Sequence, residues 1–405
     1  MKLSPIFTYS LAIICGCATG YFSFGPGLCL ADGISQIFMN LLKLVSLPII
    51  FLSITHVATG MESFETIKQM GRKVICYTLL TTVLAATIGL ILFLVIDPVE
   101  KGAFPIMGQG VDEVAKGSKN YWQYLLDIVP SNAVRPFVEN NVIGVLFLAI
   151  IIALASFSLK REQRKMLHTL FSSLFTLFMQ ITSYIVRFIP LALFAFTALF
   201  VRDARGGLAF KTIGLYLACV VGANFIQAFV ILPLILLMKG IAPWRLAKAM
   251  SPALLVAFFT KSSNATIPCA VKSAQERANI SEDTANFVFP LCTTINMNGC
   301  AAFILITTLF VSTSYGMSFS LAEMIMWIFV ATVAAAGSAG VPMGCFFLSS
   351  AFLAALNVPL QIMGIILPFY TLLDAFETAI NVWSDSCVAA LVDQGMENAE
   401  KVTLP

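Results

Sequence analysis

Long apolar runs recur along almost the whole chain, and they limit the fold more than any other feature. Of the 405 residues, 59% are hydrophobic and only 11% are charged. A soluble protein would carry roughly a quarter charged residues. A membrane-spanning helix needs about 20 apolar residues, whereas the strands of a membrane β-barrel are short and alternate. The sequence therefore predicts an all-α integral membrane protein.

About six transmembrane helices are expected in an N-terminal region covering residues 1–240. Their apolar spans lie at about 5–30, 36–60, 74–97, 132–158, 166–201 and 211–238. Prolines and asparagines indicate that the fourth span is kinked or made of several pieces. The basic loops 68–73 and 159–165 predict a cytoplasmic N-terminus by the positive-inside rule, although Arg202 and Arg205 oppose this orientation.

Two segments beyond residue 240 are too interrupted for single spans. At about 244–275 an apolar piece meets TKSSNATIP, and at about 320–356 another meets GSAGVP. Each pattern is typical of a re-entrant helical hairpin with a polar tip, although ordinary tight turns between full spans are an alternative. Irregular backbone at membrane depth is tolerated only against protein or a water-filled cavity. Paired interrupted segments thus favour a binding site between them.

Each hairpin precedes a helix with a polar centre. Helix 7, at about 283–313, contains TTINMNGC, whose polar residues are too close in sequence for one regular helical face. An unwound turn there would let carbonyl and amide groups surround an ion. Helix 8, at about 360–392, contains DAFETAINVWSD. The chain therefore contains two units, each a hairpin followed by a helix. Two such units of opposite topology form an inverted repeat.

Helix 8 carries a polar stripe on one face, because positions three or four apart are neighbours on a helix. A charge at mid-bilayer costs about 2.5–3.5 kcal/mol, so several carboxylates on one helix require cations or protonation. A bound amine and alkali-metal ions would satisfy this need, and Glu377 could instead be protonated. The stripe consists of Asp374, Glu377, Thr378, Asn381 and Asp385.

Several function classes are disfavoured. The net charge of +3 is too small to indicate nucleic-acid binding. No nucleophile–base pair, metal-ligand spacing or phosphate-binding loop indicates an enzyme. The ten cysteines are scattered through apolar runs, where buried free thiols are the simplest interpretation.

The ordered motifs TKSSNATIP, TTINMNG, GSAGVP and DxxETxxNxxxD resemble those of the dicarboxylate/amino acid:cation symporters, the glutamate transporter superfamily. The resemblance covers nearly the whole chain, and it is greatest to the bacterial serine/threonine:sodium symporter branch. It implies a homotrimer in which an N-terminal scaffold within 1–240 holds the trimer. A transport core at 241–395 would move as an elevator, and 396–405 would be a cytoplasmic tail.

The same resemblance implies the residues of the site. Asp374 would bind the substrate ammonium, Asn381 its carboxylate, and Glu377 would meet its side chain. Sodium, the co-transported ion, would bind through Asp385, Asn381 and carbonyls of the helix 7 break, with a doubtful further site. The remaining substrate residues would be Ser262, Ser263, Val341, Cys300 and Thr378. The remaining sodium residues would be Cys292, Thr294, Asn296, Met297 and Ser338, with Thr81, Thr82 and Asn298 at the doubtful site.

Three departures point away from dicarboxylate substrates. The acidic-substrate branch has Arg where this chain has Glu377, Asp where it has Asn298, and usually Thr where it has Cys300. We therefore expect sodium-coupled import of small neutral amino acids, serine and threonine foremost. Sodium- or proton-coupled transport of acidic or cationic amino acids or dicarboxylates is the alternative, and an ion channel is the alternative of another class. The expected location is the cell inner or plasma membrane, with both termini cytoplasmic.

Overall fold

The computed structural model describes residues 5–60, 70–100, 129–139, 142–203, 208–338 and 343–403. Within these ranges the regular structure is helical and contains no strand, which confirms the all-α prediction. The helices are α1 Pro5–Tyr21, α2 Gly25–Gly60, α3 Met70–Ile96, α4 Arg135–Val138, α5 Val142–Ser156, α6 Arg161–Arg187, α7 Ile189–Asp203, α8 Leu208–Ile226, a π segment Gln227–Ile231, α9 Leu232–Met238, α10 Pro243–Thr260, α11 Ser263–Ala278, α12 Glu282–Ile295, α13 Asn298–Ser314, α14 Leu321–Gly337, α15 Gly344–Ala355 and α16 Gln361–Thr403.

Four described stretches are long and apolar enough to cross a membrane: Met70–Ile96, Phe210–Met238, Glu282–Ser314 and Gln361–Met396. The helices α6 and α7, bent by 53° at their junction, make a fifth if they act as one span. Two of the four lie before residue 240, so the expectation of about six N-terminal spans stays a prediction. The polar stretch beyond Glu100 lies outside the described residues until residue 129.

Two predicted boundaries are wrong. The loop expected between residues 30 and 36 does not occur, because α2 is one helix of 36 residues. The turn lies instead at Phe22–Phe24, where Ser23 has a φ of 50° and Pro26 follows in the first turn of α2. Helix 8, expected to end near 392, continues as α16 to Thr403 because its last turns contain good helix formers such as Ala, Glu and Lys.

Glycines bring α1 close to α7. A Cβ atom added at Gly16 would lie 2.6 Å from the carbonyl oxygen of Phe194, and one at Gly20 would lie 2.3 Å from that of Ala198. The two glycines are four residues apart and therefore share one helix face. Small residues at this spacing let two helix backbones approach within a membrane. This contact joins the first helix to the rest of the N-terminal region.

The helix α13 forms the centre of the fold and is buried along residues 298–312. It packs against α3, α8, α14, α15 and α16. In contrast, α8, the π segment and α9 expose large apolar side chains, including Phe225, Phe229 and Leu237. An exposed apolar surface of this kind on a membrane-spanning helix suits contact with lipid.

The two interrupted segments form helix pairs. The helices α10 and α11 pack together and are joined by Lys261, in a left-handed conformation, and Ser262, whose side chain caps α11. The helices α14 and α15 flank residues 339–342, which lie outside the described residues. Both interruptions therefore fall at the polar motifs that the sequence indicated.

Candidate functional site

The interruption predicted in helix 7 is present. The helix α12 ends at Ile295 and α13 begins at Asn298, with Asn296 and Met297 in non-helical conformations between them. The amide nitrogen Nδ2 of Asn296 donates to Asp385 Oδ1 at 2.8 Å and to Ser384 Oγ at 3.0 Å. These bonds connect the break to α16. The break is thus stabilised by side chains of the polar stripe.

An amide network surrounds the break; it comprises Asn296, Asn298, Ser384, Thr81 and Gln227. Asn298 Nδ2 donates to Asn296 Oδ1 at 3.0 Å and also to Ser384 Oγ. Thr81 Oγ1 donates to Asn296 Oδ1 at 3.2 Å. Gln227 Nε2 donates to Asn298 Oδ1 at 3.3 Å and to the Thr81 carbonyl oxygen at 3.0 Å. The network therefore joins α3, the π segment, the helix break and α16.

Asp385 has a free carboxylate oxygen within this buried region. Its side chain is 0% exposed, and Oδ2 meets no hydrogen-bond partner among the described residues. The hydroxyl of Thr82 is likewise buried without a partner. Unpaired buried polar atoms carry a desolvation penalty, and oxygen donors are the ligands that hard cations prefer. The donor set at Asp385 therefore fits a sodium ion as cargo.

Asn381 lies one helical turn from Asp385 and is held by α13. Its Oδ1 accepts a hydrogen bond from the Gly299 amide at 2.9 Å. Its Nδ2 lies 3.4 Å from Met297 Sδ and 3.5 Å from Cys300 Sγ. These contacts fix the amide at the start of α13. They bring together Met297, Cys300 and Asn381, which the resemblance assigns to the site.

A close crossing of α13 and α16 explains the glycine of TTINMNG. A Cβ atom added at Gly299 would lie 2.9 Å from Asn224 Oδ1, 3.0 Å from Glu377 Cα and 3.1 Å from Glu377 Cβ. The contacts with Glu377 are shorter than nearly all real Cβ contacts, so its helix would have to give way by a few tenths of an ångström. Gly299 therefore sets the distance between the polar stripe and the helix break.

Glu377 is buried in the centre of the stripe, with 1% exposure. Neither of its carboxylate oxygens has a hydrogen-bond partner at normal geometry, although the Tyr370 hydroxyl lies nearby. The sulfur atoms of Cys300, on α13, and Cys345, on α15, lie beside it and are joined as a disulfide. A polar group without a partner here is available to a bound molecule.

Asp374 lies at the N-terminal end of the stripe and is partly buried. Thr378 Oγ1 donates to the Asp374 carbonyl oxygen at 2.7 Å. The Lys261 ammonium donates to the Thr371 carbonyl oxygen and is close enough to Asp374 for electrostatic attraction. Between Arg277 and Lys401 the sequence contains no basic residue that could neutralise the stripe. The fold supplies one from the α10–α11 turn.

The other predicted site residues are less directly connected to the stripe. Ser262 caps α11, while Ser263 and Ser338 are buried at the ends of α11 and α14. Thr294 Oγ1 donates to the Leu291 carbonyl oxygen at 2.6 Å, and the Cys292 carbonyl oxygen accepts from the Asn296 amide at 2.8 Å. Val341 lies outside the described residues.

Two residues of the amide network were missed by sequence reasoning. Gln227 lies in FIQAFV, where it is a lone amide in an apolar span, and this isolation could have indicated a buried role. Ser384 precedes Asp385 but does not follow the three- or four-residue spacing of the stripe. It reaches the site because the helix break approaches α16 from a second side.

Comparison with known proteins shows the family of the chain. The profile of the sodium:dicarboxylate symporter family matches residues 6–395. The chain is 26% identical to the neutral amino acid transporter B(0) of Oryctolagus cuniculus, over 96% of this chain and 80% of that protein. It is 25% identical to the excitatory amino acid transporter 3 of Mus musculus, over 92% and 79%. It is 24% identical to the proton/glutamate-aspartate symporter of Escherichia coli (strain K12), over 88% and 83%.

The resemblance drawn from the four motifs is thereby confirmed. Because the family profile covers almost every residue, including both helix pairs, the broken helix and the polar stripe, the chain belongs to the sodium:dicarboxylate symporter family, within the glutamate transporter superfamily.

Proposed function

We propose that this protein is a sodium-coupled secondary active symporter that imports small neutral amino acids, with serine and threonine as the preferred substrates. The observation that carries the proposal is Glu377, a buried carboxyl group without a hydrogen-bond partner on the face shared by Asp374 and Asn381. In its neutral form this group can donate to, or accept from, a substrate hydroxyl. If Glu377 were ionised, it would repel a carboxylate on the side chain of the substrate.

Sodium would be carried by the region around Asp385. Its free Oδ2 atom and the carbonyls of the helix break offer oxygen ligands, while the buried Thr82 hydroxyl would belong to the doubtful further site. Asn298 supplies only a neutral amide, and that amide is already bonded to Asn296 and Gln227. We infer fewer coupled sodium ions than in relatives that have a carboxylate there.

Substrate would lie between the two helix pairs, with its ammonium at Asp374 and its carboxylate at Asn381. The core at 241–395 would then move past the N-terminal scaffold as an elevator within a homotrimer. The location would be the cell inner or plasma membrane with both termini in the cytoplasm, as the basic loops favour. A site that hydrogen-bonds the hydroxyl group of the substrate would discriminate against analogues that lack this group.

Uptake by the purified protein in liposomes tests this function. The expected result is accumulation of radiolabelled serine and threonine under an inward sodium gradient, with weaker uptake of alanine. A panel of aspartate, glutamate, lysine and succinate tests the alternative substrates, and an inward proton gradient tests proton coupling. Saturable uptake of an acidic or cationic solute in preference to serine would contradict the proposal. A conductance without substrate accumulation would indicate a channel.

A further inference from the structure

Three potential metal ligands from three different helices meet in the middle of the protein. They are Cys300 on α13, Cys345 on α15 and Glu377 on α16, called here the cysteine–glutamate cluster. One ligand atom from each residue lies within 4.8 Å of the others, and all three residues are buried. They are far apart in sequence, so the fold alone brings them together.

The carboxyl group of Glu377 lies at this cluster, with the Tyr370 hydroxyl also nearby. Both of its oxygens are buried and form no hydrogen bond with the described residues. Around the sulfurs, Asn381 Nδ2 lies 3.5 Å from Cys300 Sγ, and Cys345 Sγ lies 4.0 Å from Ser338 Oγ. The Asn381 amide can donate to a thiolate, as outer-shell groups commonly do around bound metals, whereas the Ser338 hydroxyl already donates to the Ala335 carbonyl oxygen.

We propose that the cysteine–glutamate cluster, with its two cysteines reduced, binds a thiophilic divalent cation of the Zn²⁺ and Cd²⁺ class. Two thiolates favour such a metal over sodium, magnesium or calcium. At about 2.3 Å per zinc–sulfur bond, two thiolates on one tetrahedral ion lie roughly 3.8 Å apart. The Cα atoms of the two cysteines, 5.4 Å apart, permit this separation.

Reduction must come first, because the two sulfurs are joined in the structure. A phosphine and one water molecule convert the disulfide into two thiols and a phosphine oxide, with the phosphine oxidised. Metal binding then releases the thiol protons. With the Glu377 carboxylate as the third ligand, the divalent ion and two thiolates form a site of net charge −1, and a neutral Glu377 must also lose its proton to bind the metal. Three protein ligands leave the fourth tetrahedral position open.

The bound ion would tie α15 to α13 and α16. This consequence rests on the proposed function, in which substrate lies between the two helix pairs and Glu377 meets its side chain. A metal bound to Glu377 would compete with the substrate for that position. We therefore expect Zn²⁺ or Cd²⁺ to inhibit uptake by the reduced protein, and serine to protect against this inhibition.

Direct binding is measured on the purified full-length protein, without substrate, so that it does not depend on the proposed function. The protein is reduced with a phosphine and titrated with Cd²⁺ while the ultraviolet absorption of cadmium–thiolate bonds is recorded. We expect one high-affinity ion per chain. Cys300→Ser and Cys345→Ser should each lose the absorption band, and Glu377→Gln should weaken binding at least tenfold.

Matched controls use two other buried cysteines. Cys219→Ser and Cys387→Ser remove buried free thiols elsewhere and should leave the titration unchanged. Unreduced protein should bind no ion at the cluster. Normal Cd²⁺ binding by both Cys300→Ser and Cys345→Ser, each eluting as folded protein in size-exclusion chromatography, would overturn the proposal. A failure of serine uptake with intact Cd²⁺ binding would contradict only the transport function.

Discussion

Asp385 and Glu377 are both buried carboxyl groups on α16, yet their surroundings differ. One oxygen of Asp385 accepts a hydrogen bond from Asn296 at 2.8 Å, whereas neither oxygen of Glu377 has a partner. The first arrangement holds an oxygen ligand in a fixed position beside backbone carbonyls. The second leaves a group free to meet a variable molecule. The two residues therefore suit different roles, ion binding and side-chain selection.

Replacing Asp385 by Asn should impair sodium coupling. The substitution keeps the size of the side chain but removes its charge, and a contact to a charged group is worth about 1.5–3 kcal/mol. We expect the sodium concentration for half-maximal serine uptake to rise by on the order of tenfold or more. The control is Asp393→Asn, since Asp393 is a buried acid on the same helix that bonds only to Ser281 in the described structure. Unchanged sodium dependence of Asp385→Asn would exclude this residue as a ligand.

Replacing Glu377 should change selectivity. Glu377→Gln keeps a donor and an acceptor for a hydroxyl, so serine uptake should persist. Glu377→Arg places a cation beside the substrate side chain and should abolish serine uptake while admitting aspartate. Competition of radiolabelled serine uptake by unlabelled amino acids measures both effects. Strong competition by lysine or glutamate in the unmodified protein would contradict the assignment.

Gly299 offers a test of the helix crossing itself. Gly299→Ala introduces a Cβ atom 3.0 Å from Glu377 Cα, and overpacking of this kind costs about 1–3 kcal/mol. We expect a lower midpoint of thermal unfolding. Size-exclusion chromatography of the heated, detergent-solubilised protein measures this midpoint. Gly214→Ala is the matched control, because a Cβ atom there meets nothing within 4 Å. Equal stability of the two variants would show that the crossing tolerates separation.

At the scale of elements, the sequence predicted the interruptions better than the boundaries. Prolines, glycines and clustered polar residues indicated the α10–α11 turn, the α14–α15 turn and the break after Ile295. The same reasoning misplaced the start of α2, because the short stretch between the predicted spans 5–30 and 36–60 is helical and accommodates its one acid, Asp32. A polar cluster at mid-span is thus a stronger indicator than a single charge near a span end.

The π segment depends on its polar contacts. Gln227 donates to the Thr81 carbonyl oxygen and to Asn298, while Trp383 Nε1 donates to the Ala228 carbonyl oxygen at 3.0 Å. Gln227→Leu should remove the donor to two buried acceptors, the Thr81 carbonyl oxygen and Asn298 Oδ1. We expect the free energy of unfolding to fall by about 1–3 kcal/mol. Thermal unfolding measures the loss. Gln394→Leu should have little effect, because the hydrogen bond from the partly buried Gln394 to the Lys239 carbonyl oxygen is exposed to water.

At the scale of the whole molecule, motifs predicted the polar stripe and the helix break, but not how they are completed. Gln227, Ser384 and Lys261 join the site through tertiary contacts between residues distant in sequence. Spacing along one helix cannot reveal such contacts. The cysteine–glutamate cluster is a further example, since Cys300 and Cys345 are 45 residues apart and neither lies in a metal-binding motif.

The charge moved per serine is a property of the entire transport cycle. Because Asn298 is neutral and its amide is bonded within the network, we expect one coupled sodium ion fewer than in relatives with a carboxylate at this position. Flux of radiolabelled serine in liposomes held at set membrane potentials gives this charge. A parallel measurement of pH dependence identifies any contribution from protons. A value equal to that of an acidic-substrate relative, without proton coupling, would contradict the expectation.

The helix break also constrains the order of events during biogenesis. The partner of the Gly299 amide is 82 residues later in the chain, at Asn381, and Asp385 lies 89 residues beyond Asn296. Until α16 has been synthesised and has entered the membrane, the Gly299 amide and the Asn296 side-chain amide lack these partners, and unsatisfied polar groups are costly in lipid. Nascent chains that stop before residue 381 should therefore keep α12 and α13 accessible to membrane chaperones and proteases. The last helix of the chain completes the folding of a segment made much earlier.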